Sequence, residues 1–327
     1  MTVSRVLSGA QHVRPEMRQR VERAVAELGY HRNENARSLR PGQQSGLVGV
    51  TITNIANPYY AGLQRGIEAV AAQHGRRIIV GNSNEDPALE RQLVADFLGR
   101  RVEGLIVVPS GGGQPENLQP TALGGVPLVF ATRAVDGVDV DTVLVDDVRG
   151  AFEATATLLR EGHRRIAFLG NRLSVFTGRR RFSGFRQAHE GAGVDVVDEL
   201  VRLGQQDVES AQQAMAELLT LAAPPTAVFS ANNRNTVGAI RAIAAAQRRH
   251  ATTRQEDGPS PEVRLYGFDS FEFADLSPVA LSVVDHDAVE LGRRAAQMLF
   301  ERLDGTDADL PPRLIELPVS FRAASPA

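Results

Sequence analysis

From residue 46 onward, short apolar runs alternate with helical segments, and this alternation constrains the fold more than any other feature of the sequence. The first five runs are GLVGVTI (46–52), RRIIVGNS (76–83), GLIVVP (104–109), PLVFAT (127–132) and TVLVD (142–146). Continuous apolar strands that alternate with helices are typical of a parallel sheet covered on both faces. The sequence therefore predicts an α/β fold.

The same rhythm begins again after Asp147. The later runs are RRIAFLG (164–170), ELVRLG (199–204), TAVFSA (226–231), VRLYGF (263–268), ALSVV (280–284) and RLIELP (313–318). Helices are predicted at 59–74, 87–101, 178–192, 208–221, 234–248 and 288–303, with a weaker one near 115–123. The polar segment 248–261 predicts a surface loop. Two rounds of one pattern predict two similar lobes, the first at about 45–147 plus 279–306 and the second at about 148–275 plus 309–327.

The first 30 residues have a different, all-helical pattern. A short helix is predicted in TVSRVL (2–7) and a second at 15–28, with Pro15 at its start and Gly29 as its C-cap. These two helices have too few apolar residues to bury the face that they share. We therefore expect residues 1–30 to be only part of a small helical domain, called the head below. Residues 31–44 (HRNENARSLRPGQQ) predict a basic helix that is too short to be stable alone. Our interpretation is that DNA orders it.

The charge distribution agrees with that interpretation. Residues 1–45 contain eight Arg and four Glu, a balance of +4, so the rest of the chain carries −3 − 4 = −7. A basic head on an acidic body is typical of a protein whose head meets a polyanion. The alternative is that the basic residues form a solvated helix surface.

The composition limits the other function classes. The chain has no cysteine, which excludes disulfides, thiolate zinc sites and a cysteine nucleophile. No apolar run is long enough for a membrane span, and the N-terminus lacks the apolar core of a signal peptide. We therefore expect a cytoplasmic protein. The seven histidines are scattered without metal-ligand spacing, and the carboxylates of Asp146 and Asp147 point to opposite faces of an extended strand. No enzyme, metal or cofactor is predicted.

An ordered series of motifs resembles the LacI/GalR family of transcriptional regulators. In the body these motifs are NPYYAGLQRGIE (57–68), NSNEDPALERQ (82–92), RRVEGLIVVPS (100–110), VDDVRGAFEATATLL (145–159), EGHRRIAFLGN (161–171), RFSGF (181–185), PTAVFSANN (225–233) and YGFDS (266–270). The head resembles that family's recognition helix, third helix and hinge helix. The resemblance implies a two-lobed, periplasmic-binding-protein-like sensor (45–327) that follows a partial helix-turn-helix head (1–30) and a hinge (31–44).

The family normally has one further helix and turn before the recognition helix. Without that helix the apolar face of the head would lose its partner, at a cost of several kcal/mol (at about 25 cal/mol per Å²). Two explanations stay open at this point. Either the start of the chain is placed too far downstream, or the protein has lost part of its head and is a sugar-binding sensor without DNA binding.

The resemblance also implies which residues meet DNA. The residues expected at that surface are Thr2, Ser4, Arg5, Asn33, Ala36, Arg37, Leu39 and Arg40. Arg5 would donate two hydrogen bonds to a guanine edge, and Leu39 would insert into the minor groove beside its copy from a second chain. The resemblance therefore implies a homodimer on a pseudo-palindromic operator. The alternatives are that Arg5 faces solvent and that Leu39 covers the body's surface.

An effector site is expected between the lobes, where strand ends and helix starts converge. The candidates are Tyr59, Tyr60, Thr177, Arg181, Asn232, Asp269 and His286. Arg181 would be a forked donor to ligand oxygens, and Asp269 and Asn232 suit sugar hydroxyls. The alternatives are lobe packing for the tyrosines, an ion pair for Arg181 and a helix cap for Asp269. Asn233, His286 and Gln206 differ from the residues that are common in the family at these positions, so the particular ligand cannot be taken from a relative. The prediction is therefore limited to the ligand class, a sugar or sugar derivative.

Overall fold

The computed structural model describes Val3, Val6 and residues 13–29, 45–113, 115–253, 262–305 and 310–324. The chain divides into two compact units, Met1–Ser45 and Gly46–Ala327. In the described parts of the chain, no helix is both long and apolar enough to cross a membrane.

In the smaller unit, Val3 and Val6 have helical backbone, and helix α1 spans Pro15–Glu27. Pro15 opens α1, and Gly29 follows it with a φ of +56°, as the sequence predicts. Val21 is buried, but Met17 on the same helix and Leu28 at its C-cap are exposed. The described apolar face of this unit is therefore only partly covered.

The larger unit contains twelve strands and seven helices among its described residues. The strands are β1 (Leu47–Ile52), β2 (Arg77–Asn82), β3 (Gly104–Val107), β4 (Leu128–Ala131), β5 (Asp141–Val145), β6 (Ile166–Leu169), β7 (Val201–Arg202), β8 (Ala227–Ser230), β9 (Arg264–Phe268), β10 (Leu281–Asp285), β11 (Leu314–Leu317) and β12 (Ser320–Ala324). The helices are α2 (Pro58–Gln73), α3 (Pro87–Gly99), α4 (Asp147–Arg160), α5 (Phe176–Gly191), α6 (Val208–Leu219), α7 (Asn233–Thr253) and α8 (Ala288–Leu303).

The strands form two six-stranded sheets, which confirms the predicted two-lobed α/β fold. The first sheet has the order β11-β5-β4-β3-β1-β2, and all of its pairs are parallel. The second has the order β12-β10-β9-β8-β6-β7, and only β12 is antiparallel to its neighbour. The interior strands β3, β4, β6 and β8 are buried along their whole length, as expected for sheets with helices on both faces.

Two pairs of neighbouring helices pack closely on each other because glycines leave no side chain between them. A methyl group at Gly66 of α2 would lie 2.0 Å from the carbonyl oxygen of Val289 on α8. On the second lobe, a methyl group at Gly184 of α5 would lie 2.2 Å from the carbonyl oxygen of Val148 on α4. Each of these helix pairs therefore packs with its backbones in close contact.

The chain crosses between the lobes three times, and two of the crossings correct the predicted lobe boundaries. The segment 281–285 was expected in the first lobe, but β10 pairs with β9 in the second sheet. The segment 314–317 was expected in the second lobe, but β11 pairs with β5 in the first sheet. Helix α8 packs on α2 of the first lobe. A strand and the helix that follows it thus belong to different lobes, which periodicity alone does not reveal. The weak helix predicted near 115–123 is a 3-10 turn at Pro115–Leu118.

Candidate effector cleft

The two lobes face each other across a cleft formed by strand ends and helix starts. Its lining residues are Thr53, Asn54, Asn57, Tyr59, Tyr60, Glu85, Thr132, Arg133, Asn171, Thr177, Gly178, Arg181, Gln206, Ala231, Asn232, Arg234 and Asp269. Six of the seven predicted effector residues belong to this set. The enclosed space is about 70 Å³, far below the roughly 300–1,000 Å³ of ordinary ligand pockets. Little free volume therefore remains between the lobes.

The wall of the first lobe is built around Arg133, which the sequence reasoning missed. Its Nη1 and Nη2 atoms donate to the two carboxylate oxygens of Glu85 at 2.9 and 2.6 Å, and Nη1 also donates to the carbonyl of Pro109 at 2.9 Å. Burial alone would raise the pKa of Glu85, but the charge and hydrogen bonds of Arg133 outweigh it and hold the pKa below its ordinary value. The Nε atom of Arg133 is buried without a hydrogen-bond partner among the described residues.

The two tyrosines at the start of α2 complete this wall. The Tyr59 hydroxyl lies 2.8 Å from Oγ1 of Thr132, and the Tyr60 hydroxyl lies 2.6 Å from Oγ1 of Thr53. The rings meet edge to face at a centroid distance of 5.1 Å. Their hydroxyls are thus anchored in their own lobe, which leaves the ring surfaces to shape the cleft.

The wall of the second lobe is built around Arg181, whose side chain is only 5% exposed. Its Nη1 and Nη2 donate to Asp269 at 2.9 and 3.0 Å, its Nε donates to Asp147 at 2.7 Å, and Nη1 also donates to the carbonyl of Ala231 at 2.6 Å. The guanidinium carbon lies 3.7 Å from the centre of the Phe268 ring. Four of its five N–H groups are therefore committed to the protein.

Two carboxylates with different properties flank this arginine. Burial raises the pKa of Asp147 to about 6, because the charge and hydrogen bond of Arg181 only partly offset the loss of water. Asp269 follows β9 with a left-handed φ of +65° and lines the cleft. The short 3-10 turn after it begins beyond Phe273, so Asp269 does not cap it. The helix-cap alternative for Asp269 is therefore wrong.

Two predicted residues at helix starts have simpler surroundings. The Asn232 side-chain oxygen accepts a hydrogen bond from the Asn235 backbone at 2.9 Å, which leaves its amide group for the cleft. Thr177 lies in the first turn of α5, whose N-cap residue Val175 offers no side-chain acceptor. Both residues line the cleft.

His286 is the predicted residue that the structure places elsewhere. It does not line the cleft but lies behind it, with its ring 5.4 Å from that of Tyr59 and its Nδ1 atom 3.7 Å from Oδ1 of Asp269. Burial lowers its pKa to about 4, so the ring is neutral at pH 7. Neither ring nitrogen has a hydrogen-bond partner among the described residues.

Contacts between the lobes hold the cleft closed. Asn233 donates from Nδ2 to Oδ1 of Asn57 at 2.8 Å, which joins the starts of α7 and α2. On α5, Arg179 lies 3.3 Å from Asp136 of the first lobe. The next residue, Arg180, pairs with Glu316 on β11 of the first lobe.

All eight predicted DNA-contacting residues lie outside the described residues. They are Thr2, Ser4, Arg5, Asn33, Ala36, Arg37, Leu39 and Arg40. Among the residues that sequence reasoning missed are Glu85, Thr132, Arg133 and Arg234, which line the cleft, and Asp147, which lies behind Arg181. Thr132 and Arg133 directly follow β4, and this position at the end of a parallel strand was the available signal.

Two parallel-sheet lobes that close on a polar cleft define a sensor of the periplasmic-binding-protein type. A family model described as "Periplasmic binding proteins and sugar binding domain of LacI family" matches residues 45–323, and one described as "Bacterial regulatory proteins, lacI family" matches residues 1–33. The chain belongs to the LacI family.

Individual relatives are similar to this chain along almost its whole length. The transcriptional regulator CelR of Thermobifida fusca is 30% identical over 323 residues, which cover 96% of this chain and 91% of CelR. The solved CelR–cellobiose complex superposes with a TM-score of 0.74 at 26% identity, covering 98% of this chain and 93% of that one. A lac repressor dimer bound to operator and the anti-inducer ONPF has a TM-score of 0.79 at 25% identity, covering 99% of this chain and 94% of that one.

Proposed function

We propose that this protein is a DNA-binding transcriptional repressor whose hold on DNA is controlled by a sugar or sugar derivative bound between its lobes. The observation that carries the proposal is the cleft, where two buried arginines, their carboxylates, amides and hydroxyls converge on one enclosed space. Such groups are the donors and acceptors that recognise sugar hydroxyls. The solved complex of CelR with cellobiose supports a carbohydrate effector.

The DNA-binding half of the proposal rests on the first 33 residues, which match the lacI regulatory model. The lac repressor structure is a dimer on its operator, which supports a homodimer that binds a pseudo-palindromic site. The protein would work in the cytoplasm as a regulator and not as an enzyme. Effector binding would change the closure of the lobes, and the hinge segments would transmit that change to the DNA.

The DNA half is tested by gel-shift titration with fragments of the promoter region of the protein's own gene, at one stated salt concentration because phosphate contacts are salt-dependent. We expect Leu39→Ala to weaken specific binding by about tenfold or more through loss of the minor-groove wedge. Leu310→Ala, at an exposed leucine of the body, is the matched control. Equal affinity of the two variants would contradict the wedge.

The effector half is tested by adding sugars to the preformed DNA complex and, separately, to the free protein in a calorimeter. Binding to the free protein together with a change in DNA affinity supports the proposal. If a sugar binds but no fragment is retarded, the protein is instead a sensor without DNA binding. If no sugar binds and DNA binding persists, the proposed control by a carbohydrate is wrong.

A further inference from the structure

Arg234 is the cleft-lining arginine that differs from the other two. Arg133 is paired with Glu85, and Arg181 is paired with Asp269. Arg234 forms no ion pair among the described residues. Arg234 is thus the one charged residue of the cleft lining that has no opposite charge in contact with it among the described residues.

The surroundings of Arg234 offer its guanidinium group few hydrogen-bond acceptors. Its Nη1 atom donates to the carbonyl of Ala56 at a distance of 3.4 Å, which is long for a hydrogen bond, and its Nε atom is buried without a partner among the described residues. The charge of Arg234 acts on Asp207, but no ion pair joins the two among the described residues. Asp207 is partly exposed and caps α6 by accepting a hydrogen bond from the Ser210 backbone at 2.7 Å. The protein itself thus provides few acceptors for this side chain.

The position of Arg234 on its helix is a second feature that would favour a bound anion. It lies in the first turn of α7, which contains no acidic residue. Helix starts carry a partial positive charge and favour anions, so a cation there is unfavourable by itself. The start of α2 also meets this point, because Asn57 and Asn233 are hydrogen-bonded. An anion at this place would interact favourably with both helix starts and with Arg234.

A third observation comes from the opposite wall. Arg133 is only 5% exposed, lines the same cleft and retains a buried Nε–H without an acceptor among the described residues. Buried donors that lack acceptors are costly. Arg133 and Arg234 thus each retain a donor without an acceptor among the described residues, and a ligand rich in acceptors would supply one.

We propose that the effector carries an anionic group, a carboxylate or a phosphate, and that Arg234 is the residue that recognises it. The inference rests on the proposed function, since it assumes that the cleft binds the effector. Arg133 and Arg181, already neutralised by their carboxylates, would contact the neutral hydroxyl-bearing part of the same ligand. Specificity for a charged over a neutral sugar would then depend on one side chain.

The test compares wild type, Arg234→Gln and Arg234→Lys with inorganic phosphate as the probe, at constant ionic strength set with chloride. Arg241→Gln removes an exposed arginine from the same helix and is the matched control. We expect phosphate to raise the melting temperature of wild type and of the control. Its apparent affinity should fall about tenfold or more in Arg234→Gln and be largely retained in Arg234→Lys.

Phosphate that stabilises no better than chloride, or that acts equally on Arg234→Gln, would overturn the inference. A second comparison uses glucose, gluconate and glucose 6-phosphate in calorimetry. Wild type that binds only the anionic members supports the proposal. A neutral sugar that binds wild type and Arg234→Gln with equal affinity would overturn the role of Arg234 while leaving the proposed effector function intact.

Discussion

The ion pair between Arg180 and Glu316 should help to hold the two lobes together across the cleft. It joins α5 of the second lobe to β11 of the first, and both side chains are partly exposed. Glu316→Gln removes the pair but leaves Arg180 beside Asp147, at 4.0 Å, so the second lobe keeps its own charge balance. An ion pair of this exposure contributes about 1 kcal/mol, and its loss should raise the open-to-closed ratio about fivefold.

The assay is single-molecule fluorescence transfer between the lobes. The chain has no cysteine, so cysteines introduced at the exposed positions Arg100 and Glu190, one in each lobe, take the labels specifically. Glu316→Gln should increase the open population, and high salt should do the same in wild type because it screens partly exposed charges. Arg149→Gln, which breaks an exposed pair with Glu153 inside one lobe, is the control.

An open population that responds to neither Glu316→Gln nor salt would refute this reasoning. The lobes would then be held by the uncharged contacts alone, chiefly the bond between Asn57 and Asn233. Equal opening in Arg149→Gln would show that the change is a general effect of lost surface charge.

Two further predictions concern stability. Asp141→Asn should lower the free energy of unfolding by about 2 kcal/mol in a urea titration, because this buried carboxylate accepts two hydrogen bonds from Arg302 at 2.9 Å and one from the Arg313 backbone at 2.8 Å. His286→Gln should flatten the loss of stability in acid. Because burial lowers the pKa of His286 from 6.5 to about 4, the unfolded chain binds the proton more readily, and wild type should lose stability as pH falls through that interval. Urea midpoints at pH 7 and pH 5 that shift equally in both proteins would contradict it.

The sequence predicts most individual helices and strands well, because their formation depends mainly on local residues. The helix predicted at 288–303 has those bounds in the structure, and eleven of the twelve strands coincide with predicted apolar runs. Apolar periodicity and helix caps report on each segment by itself. They do not say which sheet a strand joins, and for that reason β10 and β11 were placed in the wrong lobes.

The cleft was predicted only in part for a related reason. Tyr59, Arg181 and Asp269 could be found because they lie in recognisable motifs. The pairing of Arg133 with Glu85 joins residues 48 positions apart, and it depends on Glu85 adopting a left-handed φ of +59°. A glutamate in that conformation has no sequence signal of its own. The charge that remains after such pairings, on which the proposed anionic effector rests, follows only from the structure.

The structural role of Arg181 and its proposed role in ligand binding can be separated by two substitutions. Arg181→Ala leaves the buried carboxylates Asp147 and Asp269 uncompensated, so we expect it to cost about 3–5 kcal/mol of stability as well as the effector response. Arg181→Lys keeps the positive charge but loses the planar guanidinium group that donates from two nitrogens. If the remaining Nη2–H binds the effector, calorimetry on folded Arg181→Lys should show affinity about tenfold or more below wild type. Wild-type affinity in that variant would instead show that Arg181 only positions Asp269, whose carboxylate would then be the ligand-binding group of this wall.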